Sequence, residues 1–357
     1  MTTNSDAWDI PNDARPVEGD VDFDLNRALD AVVSVRTRIP EDAFTAPILG
    51  TERAGHGVVI AEGGLVLTVG YLVTEAADIW LTASGGRSGL QALPAHQVAY
   101  DFESGLGLVQ ALGTLDVAPL PLGRSAALRT GEQVLFAGAG GRRRALLAKV
   151  EDIRPFAGYW EYFLKDAIYT GPAHPNWGGA GLINRAGELV GIGSLLVQPE
   201  DDDDEDRDSL LDNDEPTWGG VGDEGASLDT GVRAQGNMSI PIDLLPPILD
   251  DLQRYGRRRT PSRPWIGAYA TDVDGRLVVV GLSEKSPAAR AGLATGDVIF
   301  AVGDREVTTL AGFLQGMWAL GPAGTEIPLT VFRDGQMQSV RVRSVDRADL
   351  LKRPSLH

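Results

Sequence analysis

The chain has 357 residues, 43% of them apolar, 6% aromatic and 23% charged, with four histidines and no cysteine. That length calls for two domains with separate cores, and the lack of cysteine excludes disulfides, thiolate metal sites and a cysteine nucleophile. The formal net charge of −18 speaks against nucleic acid and anionic membrane as partners, because a polyanion releases no counterions to a like-charged surface. No apolar run reaches the roughly 20 residues that span a bilayer, so membrane insertion is not expected. The histidines at 56, 96, 174 and 357 are scattered, and neither a metal nor a cofactor is expected.

Residues 1–22 are polar and contain proline, which reads as a flexible N-terminal arm. No basic segment followed by an apolar stretch opens the chain, so the expected location is the cytoplasm, with the periplasm reserved for a chain preceded by a leader. From Leu25 to Val35 the pattern passes from helical spacing into a strand-like apolar run. Between 55 and 195, short β-rich segments alternate with glycine-rich turns: Gly57–Ile60, Leu65–Thr68, Ile79–Thr82, Gly105–Val109, Gln133–Phe136, Ala167–Thr170 and Leu189–Ile192. Many short strands at this spacing predict a sandwich or a barrel. The aromatic cluster Tyr159-Trp160-Glu161-Tyr162-Phe163 interrupts the series, either as half-buried strand packing or as an interaction surface.

Most of the charge sits in one place. From Glu200 to Asp229 there are fourteen acidic residues against Arg207 alone, so an acidic loop over 199–232 is expected to be solvated and disordered. A contiguous acidic block lacks the spaced ligands and turning glycine of a calcium loop. Beyond it, Leu245, Ile248, Leu249, Leu252 and Tyr255 fall at helical spacing and stop at Gly256, closing a first domain over 23–256. A basic linker, 257–264, leads to a second compact unit over 265–346 and a tail over 347–357. Within that unit Leu310, Phe313, Leu314, Met317 and Trp318 share one helical face, which is either a buried face or one wall of a peptide groove.

The segments Pro264-Trp-Ile-Gly-Ala268 and Val278 to Ile299 resemble the PDZ domain of HtrA-type (Do-like) serine proteases across about 80 residues. The resemblance implies capture of protein or peptide C-termini as an added strand, with the terminal carboxylate held by the loop amides of Trp265, Ile266, Gly267 and Ala268. Phe313, Leu314, Met317 and Trp318 would face the same groove. Residues 55–245 resemble the trypsin-like domain of that family, in order and spacing. The fold implied is mainly β: a trypsin-like double six-stranded β-barrel followed by a β-rich α+β PDZ domain.

The same resemblance places Tyr71 (in Leu67-Thr-Val-Gly-Tyr-Leu-Val73) at the family's general base. It places Gly105 (in Asp101 to Val109) at the orienting carboxylate and Gly178 (in His174-Pro-Asn-Trp-Gly-Gly-Ala-Gly-Leu182) at the nucleophile. Gly55-His56-Gly57 stands where the family has a hydroxyl between two glycines. Serine is activated only by a base that a third group holds, and loss of nucleophile or base removes on the order of 10⁶ in turnover in a subtilase. Glycine offers no nucleophile, and tyrosine, with an ordinary pKa near 10, is a weak base at pH 7. No catalytic residue is therefore expected at the inherited site, whose vestigial cleft would hold His56, His174, Trp177 and Gly179. The expected role is that of a non-catalytic pseudoprotease, a scaffold that binds through the PDZ groove, and the family's trimers imply a homotrimer.

Alternatives stay open on sequence alone. A hydrolase with a relocated site would draw on His56 or His174, with Ser104 and Asp101 beside the lost carboxylate; Lys149 and Lys165 have no serine near them. A holdase-type chaperone or assembly factor would use the degenerate cleft. The glycine-rich run Trp177-Gly-Gly-Ala-Gly181 keeps backbone that an oxyanion hole would use. The acidic loop could fold onto Arg142–Arg144 or Arg257–Arg259 as an autoinhibitory contact, weakly and in a salt-dependent way.

Overall fold

A computed structural model describes residues 10–84, 89–197 and 236–352. The acidic loop expected over 199–232 lies outside the described residues. The chain forms two compact units, one of residues 1–154, 167–257 and 352–357, the other of residues 155–166 and 258–351.

The first unit contains two closed six-stranded barrels. One comprises β1 (Val32–Arg38), β2 (Glu52–Ala61), β3 (Leu65–Val69), β4 (Asp78–Ala83), β5 (Gln91–Asp101) and β6 (Leu106–Ala111), in the order β1-β2-β3-β6-β5-β4. All five residues of β3 are buried, which is why its sequence is an uninterrupted apolar run with a single threonine. The other barrel comprises β7 (Gln133–Ala137), β8 (Ala145–Gly158), β9 (Tyr162–Gly171), β10 (Gly181–Ile183), β11 (Leu189–Val197) and β12 (Gly236–Pro241), in the order β10-β11-β12-β9-β8-β7. Val134, Phe136, Ala148, Val150, Ile168, Leu182 and Val190 fill its interior. Three α-helices lie among the described residues of this unit: α1 (Leu25–Asp30), whose first turn is capped by Asp24, α2 (Ala46–Leu49), and α3 (Leu249–Tyr255), which ends where Gly256 turns left-handed at φ 69°.

The second unit is a sheet in the order β13-β14-β15-β17-β18, formed by β13 (Ala268–Val273), β14 (Arg276–Leu282), β15 (Val298–Val302), β17 (Glu326–Arg333) and β18 (Gln336–Arg343), with β16 (Arg305–Glu306) paired to β15. Two of its hairpins close on Asp-Gly pairs, Asp274-Gly275 and Asp334-Gly335, all four residues having positive φ. These are the two-residue turns whose twist matches that of the flanking strands. Helices α4 (Pro287–Arg290) and α5 (Leu310–Ala319) begin at Ser286 and Thr309, whose hydroxyls accept amide hydrogens from Ala289 and Gly312. Phe313, Leu314 and Met317 of α5 are fully buried among Ile266, Leu277, Val279, Ile299, Leu329 and Val331.

The division departs from the expected boundaries at three places. Residues 10–22, expected as an arm, form two short 3-10 turns behind a buried Ile10. The chain returns to the first unit at Lys352, whose amide donates to Glu75 Oε1 at 2.8 Å and whose ammonium pairs with Asp42. The segment Pro155–Asp166 belongs to the second unit, where Ala157, Tyr159 and Phe163 pack against its core.

Candidate functional site

Each barrel contributes turns to a cleft of about 1020 Å³ in the first unit, lined among others by Arg36, His56, Tyr71, Trp80, Trp177 and Gly178. Tyr71 lies in the 3-10 turn Gly70–Leu72 that follows β3. Gly105 immediately precedes β6, with φ 78°, and its carbonyl accepts the Gly70 amide at 2.7 Å, so the two turns are tied together. Gly178 lies between β9 and β10, and a Cβ built on it would be 2.9 Å from the Tyr71 hydroxyl oxygen. The structure thus brings together Tyr71, Gly105 and Gly178, which are far apart in sequence. The Tyr71 hydroxyl donates to the Ser194 carbonyl at 3.0 Å, and burial pushes its pKa up, against a smaller pull from a hydrogen bond with Trp177.

The glycines around this point are sterically required. A Cβ on Gly179, at φ 79°, would lie 1.9 Å from the His56 carbonyl oxygen, and that oxygen already accepts from Thr68 Oγ1 at 2.6 Å. The His56 amide in turn donates to the Gly178 carbonyl at 2.8 Å. Two of the loop's amides are already committed within the fold, which leaves them unable to serve an oxyanion hole. The Gly179 amide donates to the Gly193 carbonyl at 2.8 Å, and the Asn176 amide to His174 Nδ1 at 3.0 Å.

The two histidines are committed to structure. His174 is fully buried and stacks on Phe136 with 5.3 Å between ring centroids. Its Nδ1 accepts from Asn176, so Nε2 carries the proton and donates to the Arg144 carbonyl at 3.0 Å. His56 Nδ1 accepts the Ala139 amide at 3.1 Å. Burial lowers the pKa of His174 to about 4 and, with the neighbouring His174 and Arg144, that of His56 to about 3, so both rings are neutral at pH 7. Ser104 and Asp101 form a buried turn in which the Asp101 carboxylate accepts from the Ser104 amide at 2.9 Å and from its hydroxyl.

Sequence reasoning missed Arg53 and Glu75. Arg53 is 2% exposed, and its guanidinium donates to the Tyr71 carbonyl at 2.6 Å, the Thr74 carbonyl at 3.2 Å and Thr45 Oγ1 at 2.8 Å. Glu75 accepts from the amides of Phe44 and Thr45 and from the Thr45 hydroxyl, at 2.6 to 3.0 Å. Burial lowers the Arg53 pKa to about 10, with the charge of Glu75 opposing. Arg53 stands beside Glu52 at the start of the strand Glu52–Ala61, and nothing in that sequence marks it as buried.

In the second unit, Trp265, Ile266, Gly267 and Ala268 enter β13 as a strained loop. Trp265 pairs with Val345 through both backbone groups, at 3.1 and 3.0 Å. The carbonyls of Ile266 and Gly267 accept from Ala288 and Ser283, each at 2.9 Å, which turns the amides of Ile266, Gly267 and Ala268 to the other side. Gly267 has φ 74°, and a Cβ there would lie 2.5 Å from Ser286 Cβ. The three amides meet a carboxylate: Glu161 accepts from Ile266 at 3.2 Å, from Gly267 at 2.6 Å and from Ala268 at 3.1 Å. Phe313, Leu314 and Met317, expected as a groove wall, are 0% exposed and build the core instead, while Trp318 is half-buried under the Arg263 guanidinium, 4.3 Å from its ring centre.

Residues 55–192 match the trypsin-like peptidase domain and residues 264–343 the PDZ domain. Over 305 residues the chain is 26% identical to a probable periplasmic serine endoprotease, DegP-like, of Pseudomonas fluorescens, covering 81% of this chain and 55% of that protein. It is 24% identical over 304 residues to the periplasmic serine endoprotease DegP of Escherichia coli K12, covering 81% and 56%. A trypsin-like peptidase domain followed by a PDZ domain, with this likeness over four fifths of the chain, supports membership of the HtrA-type protease family. The chain spans about half the length of the curated relatives it matches. Its fold is similar to that of the HtrA-type protease AlgW with decapeptide, at a TM-score of 0.51, 20% identity and coverage of 93% and 98%. A serine endoprotease from Yersinia pestis gives a TM-score of 0.50 at 20% identity, covering 91% and 99%. The relatives also correct the expected location: they are named as periplasmic proteins, which points to the periplasm rather than the cytoplasm.

Proposed function

We propose that this HtrA-type protein is a pseudoprotease that binds peptide or protein C-termini through its PDZ domain and works as a scaffold, in a homotrimeric assembly. The observation that carries the reading is the pairing of Tyr71 with Gly178. The nucleophile position has no side chain, and the space a serine hydroxyl would need lies against the Tyr71 hydroxyl, 2.9 Å from a Cβ on Gly178. A phenol whose pKa burial raises does not take a proton at neutral pH, and the Ser194 carbonyl already receives its hydrogen. The commitment of His56 and His174 to amides and carbonyls also argues against a relocated base.

The test is a casein and peptide hydrolysis assay on purified protein beside an active trypsin-like control, with a serine-directed covalent probe. No turnover and no labelling is the expected result. Turnover that is abolished by His174→Ala in a folded variant would refute the reading, because the chemistry would then have moved. Sedimentation showing only monomer at micromolar concentration would remove the trimeric assembly.

A further inference from the structure

Three amides aimed at one point form an anion site, and in the second unit that site is filled from within. The tip of the β8–β9 hairpin, Tyr159 to Glu161, delivers a carboxylate 9% exposed to the amides of Ile266, Gly267 and Ala268, with 2.6 Å to the middle one. Everything around the tip holds it there. Tyr159 meets Tyr269 of β13 edge-on at 5.9 Å, Trp160 and Tyr162 stack at 5.9 Å with an 11° tilt, and Arg347 donates to the Trp160 carbonyl at 3.3 Å.

Glu161 also adopts φ 63°, the left-handed conformation of a tight turn, which residues other than glycine, asparagine and aspartate seldom adopt. That turn aims its carboxyl group at the three amides. A glutamate side chain ends in the same two oxygens as a peptide C-terminus, and a loop that donates three amides to one cannot at the same time donate them to the other.

We propose that Glu161 is a tethered stand-in for a peptide's terminal carboxylate, so that the second unit closes its own peptide site and opens it only when Glu161 leaves. This rests on the reading that the unit binds C-terminal peptides. It requires the ligand to bring a free α-carboxylate, because an amide presents a single carbonyl oxygen without a negative charge to three converging donors. Occupancy from within lowers the apparent affinity by the fraction of time the site is open.

The experiment uses the full chain and a fluorescein-labelled decapeptide pool ending in Val, Leu or Phe, in free-acid and C-terminally amidated forms, with binding read by polarisation. Wild type is compared with Glu161→Ala and Glu161→Gln, and hydrogen exchange at the Gly267 amide is followed in parallel. Expected is a gain of at least about tenfold in free-acid affinity for Glu161→Ala, a smaller gain for Glu161→Gln, no gain for the amidated pool, and lost protection at Gly267. Free-acid binding of equal strength in wild type and Glu161→Ala would overturn the self-closure and leave the peptide-binding reading standing. No free-acid binding by any of the three folded proteins would overturn the peptide-binding reading and the stand-in with it.

Discussion

The pH dependence of Glu161 docking follows from its burial. Burial pushes its carboxyl up to about 7 from the usual 4.5, against the pull of the three loop amides and the Arg347 guanidinium. The docked state therefore holds a proton more tightly than the released state. Docking is strongest below pH 4.5, weakens as pH rises, and reaches its floor above pH 7. The gap is worth about 3 kcal/mol in full, and the docking equilibrium falls roughly tenfold between pH 6 and pH 8. A peptide α-carboxylate, with an ordinary pKa near 3.5, is ionised across that range. The second unit contains no histidine. Free-acid peptide binding by polarisation should thus strengthen roughly tenfold from pH 6 to pH 8 in wild type, and change little in Glu161→Ala. Equal pH dependence in the two proteins would refute the reasoning, since the titrating group would then not be Glu161.

Three further outcomes are expected. Gly267→Ala forces a side chain into φ 74° against Ser286, and should lower stability by about 1–3 kcal/mol in a thermal scan while abolishing carboxylate-dependent peptide binding. Arg53→Met removes a buried guanidinium from the Tyr71 and Thr74 carbonyls and Thr45 and its charge from the vicinity of Glu75, and should cost about 3–5 kcal/mol in urea unfolding; Glu75→Gln added to it should recover part of the loss. Gly178→Ser restores a hydroxyl but no base, and should leave the protein unlabelled by a serine-directed probe, with mass spectrometry of the intact chain as readout.

The barrels were legible in the sequence because their strands are short, apolar and fenced by glycine; β2, β3, β4, β7, β9 and β11 cover expected segments, and β6 covers all but the first residue of its own. The strands β5 and β8 were not, because Gln91 to Asp101 carries Pro94, and Ala145 to Gly158 passes from a short apolar start into charged residues and Pro155. Tyr71, Gly105 and Gly178 were singled out by the resemblance of three short motifs to those of the family, and each lies at a turn beside a strand. On α5 the face carrying Phe313, Leu314 and Met317 was visible, but whether it met a core or a ligand depends on what covers it, which periodicity does not encode. Glu161 was visible only as the one charge inside an aromatic cluster. Its partners lie more than a hundred positions downstream, and backbone amides leave no trace in residue identity.

The chain passes between its two units at 154/155, 166/167, 257/258 and 351/352. The PDZ unit is therefore not a cassette. A protein cut short after residue 257 would keep Ala157, Tyr159 and Phe163 but lose the core they pack against, and would also lose Lys352 from the Glu75 cluster. The converse holds for inheritance: transplanting residues 258–351 alone carries the three amides without the glutamate that fills them, so recombination at the apparent linker separates the carboxyl group from its donors.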